Sequence, residues 1–265
     1  MFRISRTMQN LFAWLGLLLM LVSFVYLEFI SPAPIAVYKE RAASTSRNVI
    51  PVVVIDPGHG GKDSGATVGG VVEKDLTLDV AQRVERLLQA EGMATVMTRV
   101  GDGYLSLAER VALTNRVPSC IFVSIHFNEG GKESSRGIET YYADHQTVPG
   151  KPIASWLPFL QRAAYQMPNV ESQSLAGFVQ EALVARTQAS NRGTKTGQYF
   201  VIANVRHPAI LVEGGFISSK DDMAKLSSID YREQIAAAIT EGIFRYRDLV
   251  KQRPATIAVT PGITE

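Results

Sequence analysis

Cysteine is nearly absent from this 265-residue chain, and its scarcity limits the kinds of site that the protein can build. The one cysteine, Cys120, lies in the apolar run CIFVSI, where a free thiol usually behaves as a small buried hydrophobe. A single cysteine excludes an intrachain disulfide bond and also excludes a zinc site made of several thiolates. A metal site in this chain must therefore use histidine and carboxylate ligands.

The chain also lacks an excess of charge of either sign. It has 27 lysine and arginine residues against 25 aspartate and glutamate residues. Nucleic-acid-binding domains are typically basic, so this balance predicts that the protein has no nucleic-acid partner. Phosphate-binding signatures are missing as well, because the glycine-rich segment 58–61 fits neither the P-loop pattern GxxxxGK[ST] nor the dinucleotide pattern GxGxxG.

Outside its first thirty residues the chain has no long apolar run. Residues 11–27 are almost wholly apolar, and Arg3 and Arg6 precede them. We predict a cytoplasmic stub at residues 1–10 and a transmembrane anchor at residues 11–30, because a bilayer is spanned by about 20 apolar residues. The arginines then place the rest of the chain outside the cytoplasm. A cleaved signal peptide is the alternative, and it would export the same domain.

The remainder divides into a linker, a globular domain and a tail. Residues 31–50 are rich in serine, alanine and proline and are predicted to be a linker, and residues 249–265 are predicted to be a disordered tail. Between them, residues 51–248 alternate short apolar runs with amphipathic stretches. This pattern predicts an α/β fold, a mostly parallel twisted sheet of about six strands with helices on both faces. The predicted strands are 52–55, 94–98, 121–125, 138–142, 199–202 and 209–212.

Amphipathic spacing places helices between these strands. Asp75 is predicted to cap a helix that ends at Gly92, and Ser106 with Glu109 forms a capping box that opens the next helix. Prolines interrupt any period between residues 144 and 172, so this stretch is predicted to be a surface loop or lid. The predicted helices further along are 175–187 and 231–249.

Polar side chains suited to chemistry follow three of the predicted strands. His59 lies in DPGHGG after the first strand, His126 lies in SIHFN at the end of the third, and Glu213 lies in LVEGGF after the last. The carboxyl ends of parallel strands share one edge, where the loops line a ligand-binding crevice, so these side chains should meet. A fourth candidate, Glu73, closes the glycine-rich segment after the first strand and returns to the same edge.

These residue types satisfy the requirements of a catalytic zinc ion. Two imidazoles and one carboxylate leave a fourth metal position for water, and a second carboxylate can take a proton as the water attacks a carbonyl. A lone histidine or glutamate at such a place is more often structural, and only the shared edge favours function. The sequence therefore predicts metal-assisted hydrolysis, but residue types alone leave open whether Glu73 or Glu213 binds the metal.

At these residues the chain resembles a known family, the zinc-dependent N-acetylmuramoyl-L-alanine amidases of the amidase 3 type. The resemblance covers nearly the whole of residues 51–248. The matching motifs, in order, are DPGHGG (56–61), EKD (73–75), TR (98–99), LAER (107–110) with Asn115, SIHFN (124–128) and LVEGGFIS (211–218).

The resemblance implies a reaction and a role for each site residue. Members of this family hydrolyse the amide that joins the lactyl group of N-acetylmuramic acid to the L-alanine of the stem peptide in bacterial peptidoglycan. Carried over position by position, it implies that His59, Glu73 and His126 bind Zn²⁺ and that Glu213 is the catalytic carboxylate. Residues 51–248 would then be a zinc amidase domain, anchored in the bacterial cytoplasmic membrane and facing the wall.

Two rival functions and several partners complete the expectations. A zinc peptidase could use the same chemistry on another stem-peptide bond, and a non-catalytic wall-binding protein could keep the amidase fold, although a degenerate member should have lost a ligand or the base. The expected partners are peptidoglycan, the membrane through the N-terminal helix, and a protein activator that the sequence does not identify. Asp56 is predicted to hold the loop of His59, and Arg99 and Asn128 are predicted to support the site.

Overall fold

The structure is a computed structural model, and it describes residues 6–25, 51–130, 135–146 and 169–252. The predicted linker and most of the predicted lid lie outside these described residues. Near the N-terminus, helix α1 covers Arg6–Val25. Within the described ranges, no helix combines the length and the apolar character that crossing a membrane requires.

Six strands form one sheet, and a two-stranded hairpin lies beside it. The order in the sheet is β4-β1-β5-β8-β6-β7, in which β4, β1, β5 and β8 run parallel, β6 is antiparallel to β8, and β7 is parallel to β6. The predicted α/β fold with a mostly parallel six-stranded sheet is therefore confirmed. The strands are β1 (Val52–Pro57), β2 (Thr67–Val68), β3 (Val71–Val72), β4 (Thr95–Met97), β5 (Cys120–Asn128), β6 (Ile138–Tyr142), β7 (Asn191–Thr196) and β8 (Ala209–Phe216).

Helices cover both faces of this sheet. The larger core cluster packs one face against the helices at 73–90, 170–187 and 229–252. The smaller cluster packs the other face against the helices at 107–116 and 200–204. The capping box is present, since Glu109 N donates to Ser106 Oγ while Glu109 Oε2 accepts from Ser106 N. The helices after α1 are α2 (Glu73–Ala90), α3 (Leu107–Arg116), α4 (Val170–Thr187), α5 (Phe200–Asn204), α6 (Lys220–Leu226) and α7 (Ile229–Gln252).

Several predicted elements differ in type or bounds from those in the structure, and helix α4, for example, begins at Val170 instead of residue 175. The run predicted as a strand at 199–202 begins helix α5 instead, and the edge strand is β7, Asn191–Thr196. Helix α2 begins at Glu73, two residues before the predicted cap, and Asp75 lies in its first turn. Helix α7 continues to Gln252, so the first residues of the predicted tail are helical.

Candidate active site

The ends of β1, β5 and α2 bring three predicted site residues together. His59 follows β1, His126 lies near the end of β5, and Glu73 is the first residue of α2. One potential ligand atom from each of the three lies within 4.8 Å of the other two. Within the described ranges, these two histidines and one glutamate form the cluster that could hold a metal ion.

The Glu73 carboxylate lies at the centre of this cluster. Its Oε1 is 3.1 Å from His59 Nε2 and 3.1 Å from His126 Nδ1, and the same oxygen accepts a hydrogen bond from Phe127 N. Its Oε2 accepts from Ala66 N at 3.0 Å. Burial raises the pKa of the Glu73 carboxyl, but the hydrogen bonds from His126 and His59 outweigh it and hold the pKa far below its usual range. The carboxyl is therefore anionic, as a metal ligand must be.

His59 is oriented by a second carboxylate on its other ring nitrogen. His59 Nδ1 is 2.9 Å from Asp63 Oδ1, so an imidazole that keeps its proton on Nδ1 for Asp63 could offer the Nε2 lone pair to a metal in place of the hydrogen bond to Glu73. Metal-binding histidines commonly carry such a carboxylate partner, because it fixes the tautomer and the ring orientation. Asp63 was not among the predicted site residues, since nothing in its sequence context distinguishes it from a turn residue.

A buried network supports the loop that carries His59. Asp56 accepts hydrogen bonds from Thr98 and Ser124 and pairs with Arg110 at 2.7 Å. Arg110 in turn donates to the backbone oxygen of His59, whose own φ of 60° lies in the sparsely populated left-handed region. Asp56 therefore holds the loop as expected, but it does so through Arg110 rather than by direct contact.

Arg99 supports the same loop from a second direction. Its guanidinium donates to the backbone oxygens of Pro57, Gly58 and Lys74. These bonds connect the end of β1 to the first turn of α2. The predicted supporting role of Arg99 is thus a structural one that fixes the separation between His59 and Glu73.

Gly58 leaves the space that the His126 ring occupies. A Cβ atom built on Gly58 would lie 2.3 Å from His126 Cε1, closer than any real carbon contact. We expect Gly58→Ala to displace the imidazole, and to lower zinc affinity and kcat/KM by at least about tenfold, because small displacements of catalytic groups are costly. Zinc titration and steady-state kinetics measure both effects.

Gly177→Ala is the matched control for this substitution. Gly177 lies within α4, and a Cβ there would meet nothing within 4 Å. Alanine also has the higher helix propensity, so this variant should keep full activity and gain slightly in stability. Equal activity of the two variants would show that the contact between residue 58 and His126 does not control the site.

Glu213 lies beside the three-residue cluster without belonging to it. It pairs with His126 across β5 and β8 and with Glu139 across β6 and β8. Its Oε2 is buried and has no hydrogen-bond partner among the described residues. Burial, followed by the charges of Glu73 and Glu139, raises the pKa of the Glu213 carboxyl well above its usual value. Burying a carboxylate oxygen without a hydrogen-bond partner costs stability, so such a group is a candidate for a functional role.

The sheet adds Glu139 to this group, which the sequence did not reveal. Its carboxylate is buried and accepts from Asn128 Nδ2, Tyr141 Oη and the side chains of Arg192 and Lys195. These partners, led by Lys195, outweigh burial and lower the pKa of Glu139. Asn128 therefore has the predicted supporting role, and it acts on Glu139. No local signal marks Glu139, because its place beside Glu213 follows only from the antiparallel pairing of β6.

The sequence pattern of the N-acetylmuramoyl-L-alanine amidase family matches residues 53–245. The chain belongs to this amidase family. Two amidases among its relatives show how far the likeness extends. The amidase LytC of Bacillus subtilis is 36% identical over 194 residues, which cover 73% of this chain and 35% of that longer protein. The solved structure of the amidase AmiC2 of Nostoc punctiforme is 34% identical, with a TM-score of 0.64, and the match covers 76% of this chain and 98% of that one.

A second solved amidase structure includes a partner protein. It is the CwlD amidase from Clostridioides difficile in complex with the GerS lipoprotein, 25% identical with a TM-score of 0.63, and the match covers 75% of this chain and 99% of that one. Family, relatives and fold agree, so the chain is a hydrolase, a peptidoglycan N-acetylmuramoyl-L-alanine amidase.

Proposed function

We propose that the chain hydrolyses the amide between N-acetylmuramic acid and L-alanine with a zinc ion held by His59, Glu73 and His126, and with Glu213 as the catalytic carboxylate. The observation that carries this proposal is the pair of carboxylates with opposite environments. Glu73 is surrounded by imidazoles that keep it anionic, whereas Glu213 has a buried Oε2 without a hydrogen-bond partner among the described residues. The first environment suits a metal ligand, and the second suits a group that exchanges a proton.

The side chains present fit a zinc ion. Two imidazole nitrogens and one carboxylate oxygen converge, the second nitrogen of His59 already has its carboxylate partner, and Gly58 makes room for the other ring. Zinc prefers this nitrogen and oxygen set and keeps a fourth position open at catalytic sites. When bound, zinc supplies Lewis-acid chemistry, polarising the substrate carbonyl and lowering the pKa of a coordinated water to about 7.

Glu213 would move the proton in this reaction. Burial raises the pKa of Glu213, so its ionised carboxylate is a stronger base than that of a solvated glutamate, and in this form it can take the proton of the water that attacks the lactyl carbonyl. The same carboxyl can then donate that proton to the leaving nitrogen of L-alanine. No described residue holds the Glu213 Oε2 by a hydrogen bond, so the carboxylate is not already committed to a structural partner at that oxygen.

Product analysis tests which bond is cut. Purified peptidoglycan is incubated with the zinc-loaded chain, and the newly exposed amino termini are labelled and identified by mass spectrometry. The proposal requires free L-alanine amino termini together with newly formed lactyl carboxylates on the glycan. Other amino termini would indicate the zinc peptidase, and no new termini from a folded, zinc-loaded protein would favour the non-catalytic wall-binding alternative.

We also propose that the domain acts outside the cytoplasm, tethered by residues 11–30. The support is the apolar N-terminal sequence with Arg3 and Arg6 before it. Membranes from expressing cells are extracted at alkaline pH, and the full chain should stay with the lipid while a chain lacking residues 1–30 should not. Release of both chains into the supernatant would contradict an anchor. A protein activator belongs to the same proposal, and the complex of the CwlD amidase with the GerS lipoprotein supports it.

A further inference from the structure

Two cations lie beside the proposed catalytic carboxylate, on the edge strand β7. Arg192 Nε donates to Glu139 Oε2 at 2.6 Å, and Lys195 Nζ donates to the same oxygen. About a third of each side chain is exposed, 36% for Arg192 and 35% for Lys195, whereas Glu139 is 2% exposed. One buried carboxylate therefore pairs with two cations. The three side chains together carry one net positive charge, and the two cations are partly exposed to solvent.

Arg192 is held in a fixed orientation that leaves its outer donors free. Its guanidinium lies over the Phe216 ring, 4.9 Å from the centroid, and among the hydrogen bonds of the described residues it uses only Nε. The two terminal nitrogens form the planar fork that binds a carboxylate through two parallel hydrogen bonds. Ordering by Glu139 and Phe216 reduces the entropy lost when such a ligand binds.

The sheet fixes the distance between these cations and the proposed reaction centre. His126 pairs with Glu213, Glu213 pairs with Glu139, and Tyr141 beside Glu139 pairs with Lys195. Neighbouring strands are about 4.8 Å apart, so the β7 cations lie about 10 Å from the Glu213 backbone. An extended peptide advances about 3.5 Å per residue, and it therefore covers this distance in about three residues.

We infer that Arg192, with Lys195, binds a carboxylate of the stem peptide within about three residues of the L-alanine whose amide is cut. This inference rests on the proposed function and adds the direction of the substrate. The stem peptide extends across β8 and β6 towards β7, and the glycan lies on the opposite side of the metal cluster. Arg192 is then a specificity-determining residue that favours acidic over amidated stem peptides.

Two muropeptides that differ only in their stem-peptide carboxylates test this inference. The carboxylates are free in one substrate and converted to carboxamides in the other, and kcat and KM for release of the stem peptide are measured with the full chain. We expect kcat/KM to be about tenfold higher for the free acid, the usual effect of a charge-assisted pair. In Arg192→Gln we expect KM for the free acid to rise about tenfold, whereas kcat/KM for the amidated substrate changes less than about twofold. The ratio of kcat/KM between the free acid and the amidated substrate then falls towards one.

Arg186→Gln is the matched control. Arg186 also forms an Nε bond of 2.6 Å to a glutamate, Glu241, and it is similarly exposed, but it connects α4 to α7 away from the site. This variant should keep the wild-type preference. A kcat/KM ratio near one between the two substrates in the wild-type protein would overturn the inference. An equal loss of kcat/KM on both substrates in Arg192→Gln would also overturn it, because that is the result of a purely structural role.

Equilibrium binding separates this inference from the proposed function. Both muropeptides are titrated into the Glu213→Gln variant, with and without Arg192→Gln. Tighter binding of the free acid that disappears with Arg192→Gln supports the carboxylate subsite even if the wild-type protein frees no L-alanine amino termini, a result that would overturn the proposed function alone. Freed L-alanine amino termini with equal binding of both substrates would overturn the subsite alone.

Discussion

Glu213→Gln is expected to lower kcat by about 1000-fold or more while leaving zinc binding unchanged. Glutamine keeps the shape of the side chain but cannot accept a proton, and general acid–base groups contribute about 100- to 10,000-fold to rates. The zinc content should stay the same because the three proposed ligand side chains are untouched. Steady-state kinetics on a soluble muropeptide and metal analysis of the same preparation measure both quantities.

The same substitution should not destabilise the fold. Burial and the charges of Glu73 and Glu139 disfavour the ionised form of Glu213, and a neutral amide at this position avoids that form altogether. We therefore expect the midpoint of thermal unfolding to be equal or higher. Glu181→Gln is the control, since Glu181 is a surface residue paired with Arg245. Retention of a tenth or more of wild-type kcat in Glu213→Gln would rule out the proposed proton transfer.

His126→Ala is expected to abolish zinc binding and to lower activity by about 1000-fold or more. Removal of one of three ligands leaves too few donors for a stable site, and the reaction then loses both the activated water and the polarised carbonyl. Chelation of the wild-type metal should cause a similar loss that added zinc reverses. Metal analysis and kinetics before and after dialysis against a chelator measure these effects.

Zinc should also stabilise the wild-type fold, and His126→Ala should lose this effect. A ligand at 100 times its dissociation constant stabilises the folded state by about 2.7 kcal/mol. His207→Ala is the control, since His207 lies outside the metal cluster and burial lowers its pKa. Its unfolding midpoint should still rise with zinc. A zinc-dependent rise of the same size in His126→Ala would place the metal elsewhere.

The predicted meeting of the site residues depended on one regularity of parallel sheets. His59 follows β1 and His126 lies near the end of β5, and these two strands pair directly. Glu213 lies in the next strand of the sheet, β8. Each motif is apolar before the polar residue, so the end of the strand can be read from the sequence. The geometry at this edge was therefore predictable before the side-chain contacts were known.

The edge of the sheet beyond β8 was not predictable in this way. Strand β7 has the sequence NRGTKT, which lacks the apolar alternation of a half-buried strand. The run at 199–202 has that apolar character but forms the short helix α5, because a run of four apolar residues is ambiguous between the two structures. The sequence pattern therefore places the edge strand one segment too late in the chain and does not mark Arg192 and Lys195 as strand residues.

The roles of Glu139 and Asp63 depend on contacts that sequence spacing does not specify. Glu139 becomes a neighbour of Glu213 only through the antiparallel register of β6 with β8. Asp63 becomes the partner of His59 only because the loop turns back through a left-handed His59. Such partners depend on backbone conformation and strand register, which are set by the fold as a whole.

Anomalous diffraction from crystals of the zinc-loaded chain tests the central claim most directly. Data collected on both sides of the zinc absorption edge locate the metal independently of any assumption about its ligands. The account predicts one strong peak within bonding distance of His59, Glu73 and His126, with Glu213 beside it but not bound. A peak at other side chains, or a peak with Glu213 as a ligand in place of Glu73, would contradict it.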